Sequence, residues 1–202
     1  MRWAIMAGVA VIAAVGIAVF AGMRSSAANA ALGEALDVYS SPLLPPGAPP
    51  ETGVYATAAE RSKAANQKFV AVASEYGWLP EGTKAHYFAG VTYTELGENG
   101  QAETELKKAA DAWDRNVANL AKLALAGLYH QTNRDGQAID LYNAIAAKPS
   151  VTVSAAVAQL DLADLYVAAG KRDQARLVWA KVRDSDKEGA AGSIAAQKLS
   201  GQ

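Results

Sequence analysis

The chain of 202 residues contains no cysteine and only two histidines, His86 and His130. The absence of cysteine excludes disulfides, thiolate metal sites and thiol catalysis. The formal net charge of -1 provides no basic field for a nucleic acid or an anionic surface. Alternating runs of β-branched residues are missing after residue 25, whereas alanine, the best helix former, is abundant. The composition therefore predicts a nearly all-α domain.

Charged and strongly polar side chains are also missing from Trp3 to Gly22. Twenty helical residues rise about 30 Å, which matches the hydrocarbon core of a bilayer. Residues 1–25 are therefore predicted to form a transmembrane anchor that contacts the membrane through residues 3–22. The α-amino group and Arg2 precede this span, and the charge bias weakly favours an extracytoplasmic C-terminal domain.

A cleaved signal peptide is the alternative interpretation of the N-terminus. Ala28, Asn29 and Ala30 fit the A-x-A pattern of a cleavage site. However, the apolar run is longer than a signal core of about 7–15 residues, and Arg24 lies between the run and the site. A retained anchor is favoured, while cleavage after Ala30 stays open. Both alternatives place the remaining domain outside the cytoplasm.

A repeat organises the rest of the chain. Tyr93, Tyr129 and Tyr166 are spaced 36 and 37 residues apart. Four residues after each tyrosine stands a residue that tolerates the left-handed conformation at a helix end; these are Gly97, Asn133 and Gly170. Each unit then shows an apolar stripe with helical spacing, formed by Ala102, Leu106 and Ala109, by Ala138, Tyr142 and Ile145, and by Ala175, Trp179 and Val182. Each unit is therefore predicted to be a helical hairpin.

These units resemble the tetratricopeptide repeat, in which small residues of the two helices face each other. The matching pairs are Gly90 with Ala102, Ala126 with Ala138, and Ala163 with Ala175. The family's usual tryptophan in the first helix is absent, and the period exceeds the usual value of about 34 residues. The resemblance implies an all-α fold, a tetratricopeptide-like superhelix of helical hairpins preceded by one transmembrane helix.

The repeat domain is assigned to residues 26–202. Its predicted elements are a degenerate hairpin at 27–77, hairpins at 82–114, 117–148 and 153–184, and a capping helix at 188–199. The first helix of the degenerate hairpin, residues 27–39, should bury Leu32, Ala35, Leu36 and Tyr39. Residues 41–50 hold five of the seven prolines, so an extended loop is expected there. In the capping helix, Ile194, Ala195 and Leu199 are expected to face inward.

No pattern in the sequence indicates catalysis. Neither histidine has a carboxylate or a second histidine at metal-ligand spacing, and no phosphate-binding or nucleophile motif is present. Trp78, Trp113 and Trp179 are expected to fill the core, because no basic stripe accompanies them as in a nucleic-acid platform. We therefore expect no enzyme activity, no cofactor, no metal, no nucleic acid and no small-molecule substrate.

In the tetratricopeptide family the first helices line a concave groove that binds other proteins. The groove positions carried over to this chain are Lys84, Tyr87, Val91, Leu120, Leu123, His130, Val157, Leu160, Asp164 and Val167. The charged clamp of some members is missing, and the groove is mostly apolar. An amphipathic helix of a partner protein would suit it. Alternatively, the chain's own C-terminal helix or a second copy covers this groove.

The arrangement of an N-terminal anchor and an exported repeat domain resembles the membrane-anchored ancillary subunit family of the bacterial Sec translocon. This resemblance implies a single-pass protein of the inner membrane whose periplasmic domain acts as a scaffold or chaperone-associated subunit for a membrane complex or exported clients. The alternative function is an accessory structural subunit of another integral complex, such as an electron-transfer assembly. There, Gly8 and Gly16 would mark the packing face of the membrane helix.

Overall fold

The computed structural model describes residues 2–45, 47, 49 and 53–201, but not the side chains of residues 2–20. Within the described residues the fold is all-α, and one isolated bridge, between Leu43 and Tyr55, is its only β-type pairing. The helices are α1 (Arg2–Ser40), α2 (Ala58–Tyr76), α3 (Pro80–Glu95), α4 (Asn99–Ala110), α5 (Arg115–Gln131), α6 (Asp135–Ala147), α7 (Ala155–Ala168), α8 (Arg172–Ser185) and α9 (Ala190–Ser200). They form two compact units, residues 1–96 with α1–α3 and residues 97–202 with α4–α9. The predicted hairpin at 82–114 spans the boundary between the units.

The first unit is a three-helix arrangement in which α2 is antiparallel to both α1 and α3. At one end, Arg24 of α1 forms an ion pair of 3.2 Å with Glu75 of α2. At the other end, the ring of Tyr39 contacts Phe69 of α2 and Phe88 of α3, with centroids 6.1 and 6.3 Å apart. These contacts enclose a core between the three helices.

The predicted inward positions of the first helix are occupied as expected. Leu32 and Ala35 are buried, and Leu36 and Tyr39 pack against the same core at partial burial. Helix α2 begins after Thr57, whose side chain accepts a hydrogen bond from the backbone N–H of Glu60. This is a helix N-cap, and it ends the proline-rich connection.

Helix α1 is longer than the sequence analysis expected, because it runs without interruption from Arg2 through the position predicted as the start of a separate helix at residue 27. No proline or glycine stands between residues 23 and 32, so nothing in this segment breaks the backbone hydrogen bonds of the helix. The predicted membrane span falls on side chains that lie outside the described residues. Among the residues that are described, no helix is both long and apolar enough to cross a membrane.

The proline-rich connection pairs with the segment before α2 at one point, and it turns at Gly47 and Gly53, where φ is 81°. Leu43 and Tyr55 form the isolated bridge, and the backbone N–H of Leu44 donates to the carbonyl of Tyr55 at 2.9 Å. The guanidinium of Arg61 donates to the carbonyl of Ser41 at 3.1 Å and ties the start of the loop to α2. Residues 46, 48 and 50 of the predicted loop lie outside the described residues.

In the second unit, each helix packs against the next one along the chain, and α9 packs against both α8 and α7. The pairs α5–α6 and α7–α8 coincide with the predicted hairpins at 117–148 and 153–184. The small residues Ala126, Ala138, Ala163 and Ala175 are all fully buried. The stripe residues Leu106, Tyr142, Trp179, Ala109, Ile145 and Val182 are buried as predicted.

The three predicted left-handed turn residues are confirmed. Gly97, Asn133 and Gly170 have φ angles of 75°, 59° and 73°. The chain reverses after Asn133 and Gly170. The backbone N–H of Arg134 donates to the carbonyl of Tyr129, and that of Lys171 donates to the carbonyl of Tyr166. This bond closes the end of the preceding helix in the way that a left-handed residue allows.

Three packing predictions are wrong. Trp78 is 63% exposed and Trp113 is fully exposed, whereas Trp179 is buried as predicted. Both exposed tryptophans lie between helices, where no described element covers the indole. In α9, Ala195 is buried and Leu199 packs against the core, but Ile194 is 44% exposed. It lies one residue from Ala195, so the helical period turns it away from α7 and α8.

Candidate protein-interaction surface

The predicted groove residues fall into two sets, one in each unit. Lys84, Tyr87 and Val91 lie on α3 of the first unit and are half-buried. The ring of Tyr87 contacts that of Phe88 at a centroid distance of 5.0 Å. Burial raises the pKa of the Tyr87 hydroxyl. These three side chains are therefore partly packed against the first unit and partly exposed to solvent.

The set on α5 forms one stripe of the second unit. Leu120, Leu123 and His130 are half-buried, and Gly127 lies between them at helical spacing. The opposite side of α5 is buried against its neighbours. Helix α5 therefore presents an apolar, half-exposed stripe that ends at a histidine.

The set on α7 forms a second stripe with the same spacing. Val157 is 41% exposed, and Asp164 is exposed as well. Leu160 and Val167 are half-buried and pack against the core that contains Trp179. We call the half-exposed apolar residues Leu120, Leu123, Val157, Leu160 and Val167 the α5–α7 surface.

Two carboxylates border the α5–α7 surface. Asp161 is half-buried, and the pKa of its carboxyl is raised by burial and by the neighbouring charge of Asp164. Burial is the main cause that raises the pKa of Tyr142 on α6 to about 12, and the charges of the same two carboxylates add to it. Asp164 is paired with Lys198 of α9 at 3.1 Å. The α7 edge of the surface therefore carries two neighbouring carboxylates, and Asp164 is paired with Lys198.

His130, at the end of α5, pairs with a carboxylate that sequence reasoning did not assign to it. Its Nδ1 lies 2.7 Å from Oδ1 of Asp135, the first residue of α6. The turn at Asn133 brings the two side chains together across five positions of sequence. The pair orients the imidazole at the end of the α5 stripe.

Within the described residues, no three histidine, aspartate or glutamate side chains form a group able to hold a metal ion.

Glu103 of α4 is held by three side chains of the second unit. It accepts hydrogen bonds from Arg134 at 2.8 Å and from Tyr129 at 3.1 Å, and it is 2.6 Å from the ammonium of Lys107. Arg134 and then Lys107 are the main causes that lower the pKa of Glu103 to about 2. Arg134 also lies over the ring of Tyr129, 4.3 Å from its centroid. This cluster ties α4 to the α5–α6 turn and has a structural role.

The C-terminal helix, α9, covers part of the predicted groove. Ala191 and Leu199 of α9 pack against the core of the last hairpin, and Lys198 reaches Asp164. Its contacts are with α7 and α8. Val157, at the other end of α7, remains exposed. Helix α9 therefore covers the C-terminal part of α7 and leaves the N-terminal part open.

A separate depression of about 580 Å³ lies between α8 and α9. Leu177 and Leu199 contribute apolar surface to it, and Arg176 and Arg183 contribute guanidinium groups. Arg183 already pairs with Asp184 at 2.9 Å. The depression contains none of the predicted groove residues, so it is distinct from the α5–α7 surface.

In comparisons with known proteins, no protein-family model, no curated protein and no solved structure matches the chain.

Proposed function

We propose that the chain is a non-enzymatic, membrane-anchored module that binds other proteins through the α5–α7 surface. This proposal rests on the half-exposed apolar residues of α5 and α7, which are the first helices of two successive hairpins. Leu120 and Leu123 on α5, with Val157 on α7, leave apolar area in water, which normally marks an interaction site. An apolar surface of this kind suits the apolar face of an amphipathic helix of the partner.

The proposal includes a tetratricopeptide-like repeat array. The left-handed residues at Asn133 and Gly170 and the buried small residues at both hairpins support it. Each hairpin buries one side of its first helix and leaves a stripe of that helix half-exposed. This is the arrangement by which repeat domains present a binding surface.

We further propose that residues 3–22 remain attached as a single transmembrane helix and hold the domain on the periplasmic side. The packing of the segment that follows supports retention over cleavage. Ala28 is fully buried in the core of the first unit, and Asn29 donates to the carboxylate of Glu81 at 3.1 Å. Cleavage after Ala30 would remove these residues from a packed unit. Intact-mass measurement of the protein from membranes should therefore find residues 1–30, and a mass that begins at Ala31 would contradict retention.

A site-specific photo-cross-linking experiment tests the binding surface. A photoreactive amino acid is placed at Leu123 or at Val157 of the full-length protein in its native membrane. The control is Asp140, which is exposed on α6. We expect Leu123 and Val157, but not Asp140, to cross-link to a translocon subunit, a chaperone or another envelope complex. Equal products from all three positions, or products containing only this chain, would contradict the proposed partner class.

The same experiment separates the two functional classes. Cross-links to the translocon or to a chaperone support the scaffold function. Cross-links to an electron-transfer assembly support the alternative, an accessory structural subunit. Charge substitutions Leu123→Glu and Val157→Glu should reduce the amount of the specific product, because a glutamate in an apolar interface loses its hydration.

A further inference from the structure

The end of the first unit that follows the apolar N-terminal run carries an unusual set of exposed side chains. Met23 is 69% exposed and Trp78 is 63% exposed. Met23 follows the predicted membrane span directly, whereas Trp78 lies in the turn between α2 and α3. They belong to different elements, and sequence reasoning expected Trp78 in the core. Packing within the first unit therefore does not account for the positions of these two large apolar side chains.

Polar contacts bring the α2–α3 turn to the level of residues 24–29 of α1. Arg24 pairs with Glu75 at 3.2 Å, and its guanidinium lies 5.0 Å from the ring centroid of Tyr76. On the other side of the turn, the carboxylate of Glu81 accepts hydrogen bonds from Ser25 at 3.4 Å and Asn29 at 3.1 Å. Contacts on both sides of Trp78 thus hold the turn beside the first residues after the apolar run.

A second close contact shapes the same turn. A Cβ atom on Gly82 would lie 2.0 Å from the carbonyl oxygen of Tyr76. Only glycine therefore permits this approach between the start of α3 and the end of α2. The turn that carries Trp78 is tightly packed by its backbone, although the indole itself is exposed.

The depth of the turn follows from helix geometry. If residues 3–22 fill a hydrocarbon core of about 30 Å, the next residues of α1 advance about 1.5 Å each. The polar headgroup layer adds about 5–7 Å on each side of the core. Residues 23–27 would therefore cross that layer, and the turn bonded to Arg24 and Ser25 would lie within it.

The exposed side chains suit that layer chemically. Tryptophan is enriched at membrane interfaces, because its ring is largely apolar while its N–H keeps a hydrogen-bonding partner. Methionine offers a flexible apolar side chain to the hydrocarbon boundary. Arg24 can contact lipid phosphates from the same level.

We propose that the end of the first unit formed by Met23, Arg24 and Trp78 rests in the headgroup layer of the membrane, with Trp78 as a second interfacial anchor beside the transmembrane helix. This inference rests on the proposed function, since it requires that residues 3–22 span the bilayer. Two attachments fix the tilt of the unit, whereas a single helix would let it pivot. The opposite end, with the proline-rich connection, then lies well away from the lipid.

The absence of cysteine in the chain makes single-site labelling direct. The full-length protein is reconstituted in phosphatidylcholine–phosphatidylglycerol vesicles with a spin label on Ser74→Cys, an exposed site one helical turn before Trp78. The matched control is Ala58→Cys, exposed at the other end of α2. We expect the label at position 74 to be shielded from a water-soluble nickel relaxer and accessible to oxygen. The label at position 58 should show the aqueous pattern.

Substitution of the tryptophan completes the test. Trp78→Ser should raise the nickel accessibility at position 74 several-fold, and Trp78→Tyr should restore shielding. Trp113→Ser, at the other exposed tryptophan, should leave it unchanged. Equal accessibility at positions 74 and 58, or equal effects of the two serine variants, would overturn the inference. A carbonate wash separates the two proposals: release of the protein contradicts the transmembrane segment, whereas retention with an aqueous label at position 74 contradicts only the role of Trp78.

Discussion

The amide nitrogen of Asn29 lies 3.1 Å from Oε1 of Glu81, so α1 and α3 are joined by a hydrogen bond to a buried carboxylate. The second oxygen of Glu81 is buried and has no hydrogen-bond partner among the described residues. Asn29 and Ser25 therefore provide the polar contacts that compensate for its burial. This relationship makes the segment after the apolar run part of the folded unit.

Loss of the Asn29 amide should destabilise the first unit. Asn29→Ala removes the shorter of the two hydrogen bonds that Ser25 and Asn29 donate to the buried carboxylate, so we expect the free energy of unfolding to fall by about 1–3 kcal/mol. Denaturant unfolding of the full-length protein in detergent micelles measures this change. Asn143→Ala, at an exposed position of α6, should change the free energy by no more than about 0.5 kcal/mol. An unchanged midpoint for Asn29→Ala would show that the bond contributes nothing.

The two tryptophans of the second unit should respond very differently to truncation. Trp179 is 1% exposed, and its indole nitrogen has no hydrogen-bond partner within the described residues, so its contribution comes from packing. Trp179→Ala should lower the free energy of unfolding by about 3–5 kcal/mol through cavity formation. Trp113→Ala, at a fully exposed site, should cost no more than about 0.5 kcal/mol. Comparable losses in thermal or denaturant unfolding would refute the assigned packing.

Two glycines of the second unit form a matched pair for backbone effects. Gly170 has a φ of 73°, so Gly170→Ala forces an L side chain into the left-handed region at a cost of about 1–2 kcal/mol. Gly136 lies in the first turn of α6, with nothing within 4 Å of an added Cβ. Gly136→Ala should therefore stabilise the protein by about 0.5–1 kcal/mol. Changes of the same sign in both variants would contradict this difference in backbone conformation.

Glu103 should give the second unit a dependence on acidic pH. Because Arg134 and Lys107 lower its folded-state pKa from 4.5 to about 2, its ionised form stabilises the folded state. This stabilisation is complete above about pH 4.5 and is lost as the pH falls towards 2. The difference in unfolding midpoint between the natural protein and Glu103→Gln should therefore be largest at neutral pH and shrink below pH 4.5. Asp140→Asn is the control, and a difference independent of pH would contradict the assignment.

The all-α class, the turns and the buried stripes could be predicted from sequence, because each depends on local physical chemistry. Gly97, Asn133 and Gly170 were predicted from the few residues that tolerate a left-handed backbone, and all three adopt it. The buried positions Ala175, Trp179 and Val182 follow from helical spacing alone. These features need no knowledge of distant contacts.

Part of the candidate surface was also predictable, namely the positions of its apolar residues on α5 and α7. Their exposure was not, since Leu160 and Val167 pack against the core while Val157 remains open. The His130–Asp135 pair depends on how the turn at Asn133 orients two helix ends. Helical periodicity carries no information on such contacts between elements.

The sequence by itself determined the all-α class, where the hairpins of the second unit turn and which stripe of α4, α6 and α8 is apolar. Only the tertiary structure decided that Trp78 and Trp113 are exposed while Trp179 is buried, and that Glu81 is enclosed by α1. Helix periodicity and backbone chirality are local properties of the chain. Burial depends on which neighbouring element lies against a side chain, and residue type alone does not specify that neighbour.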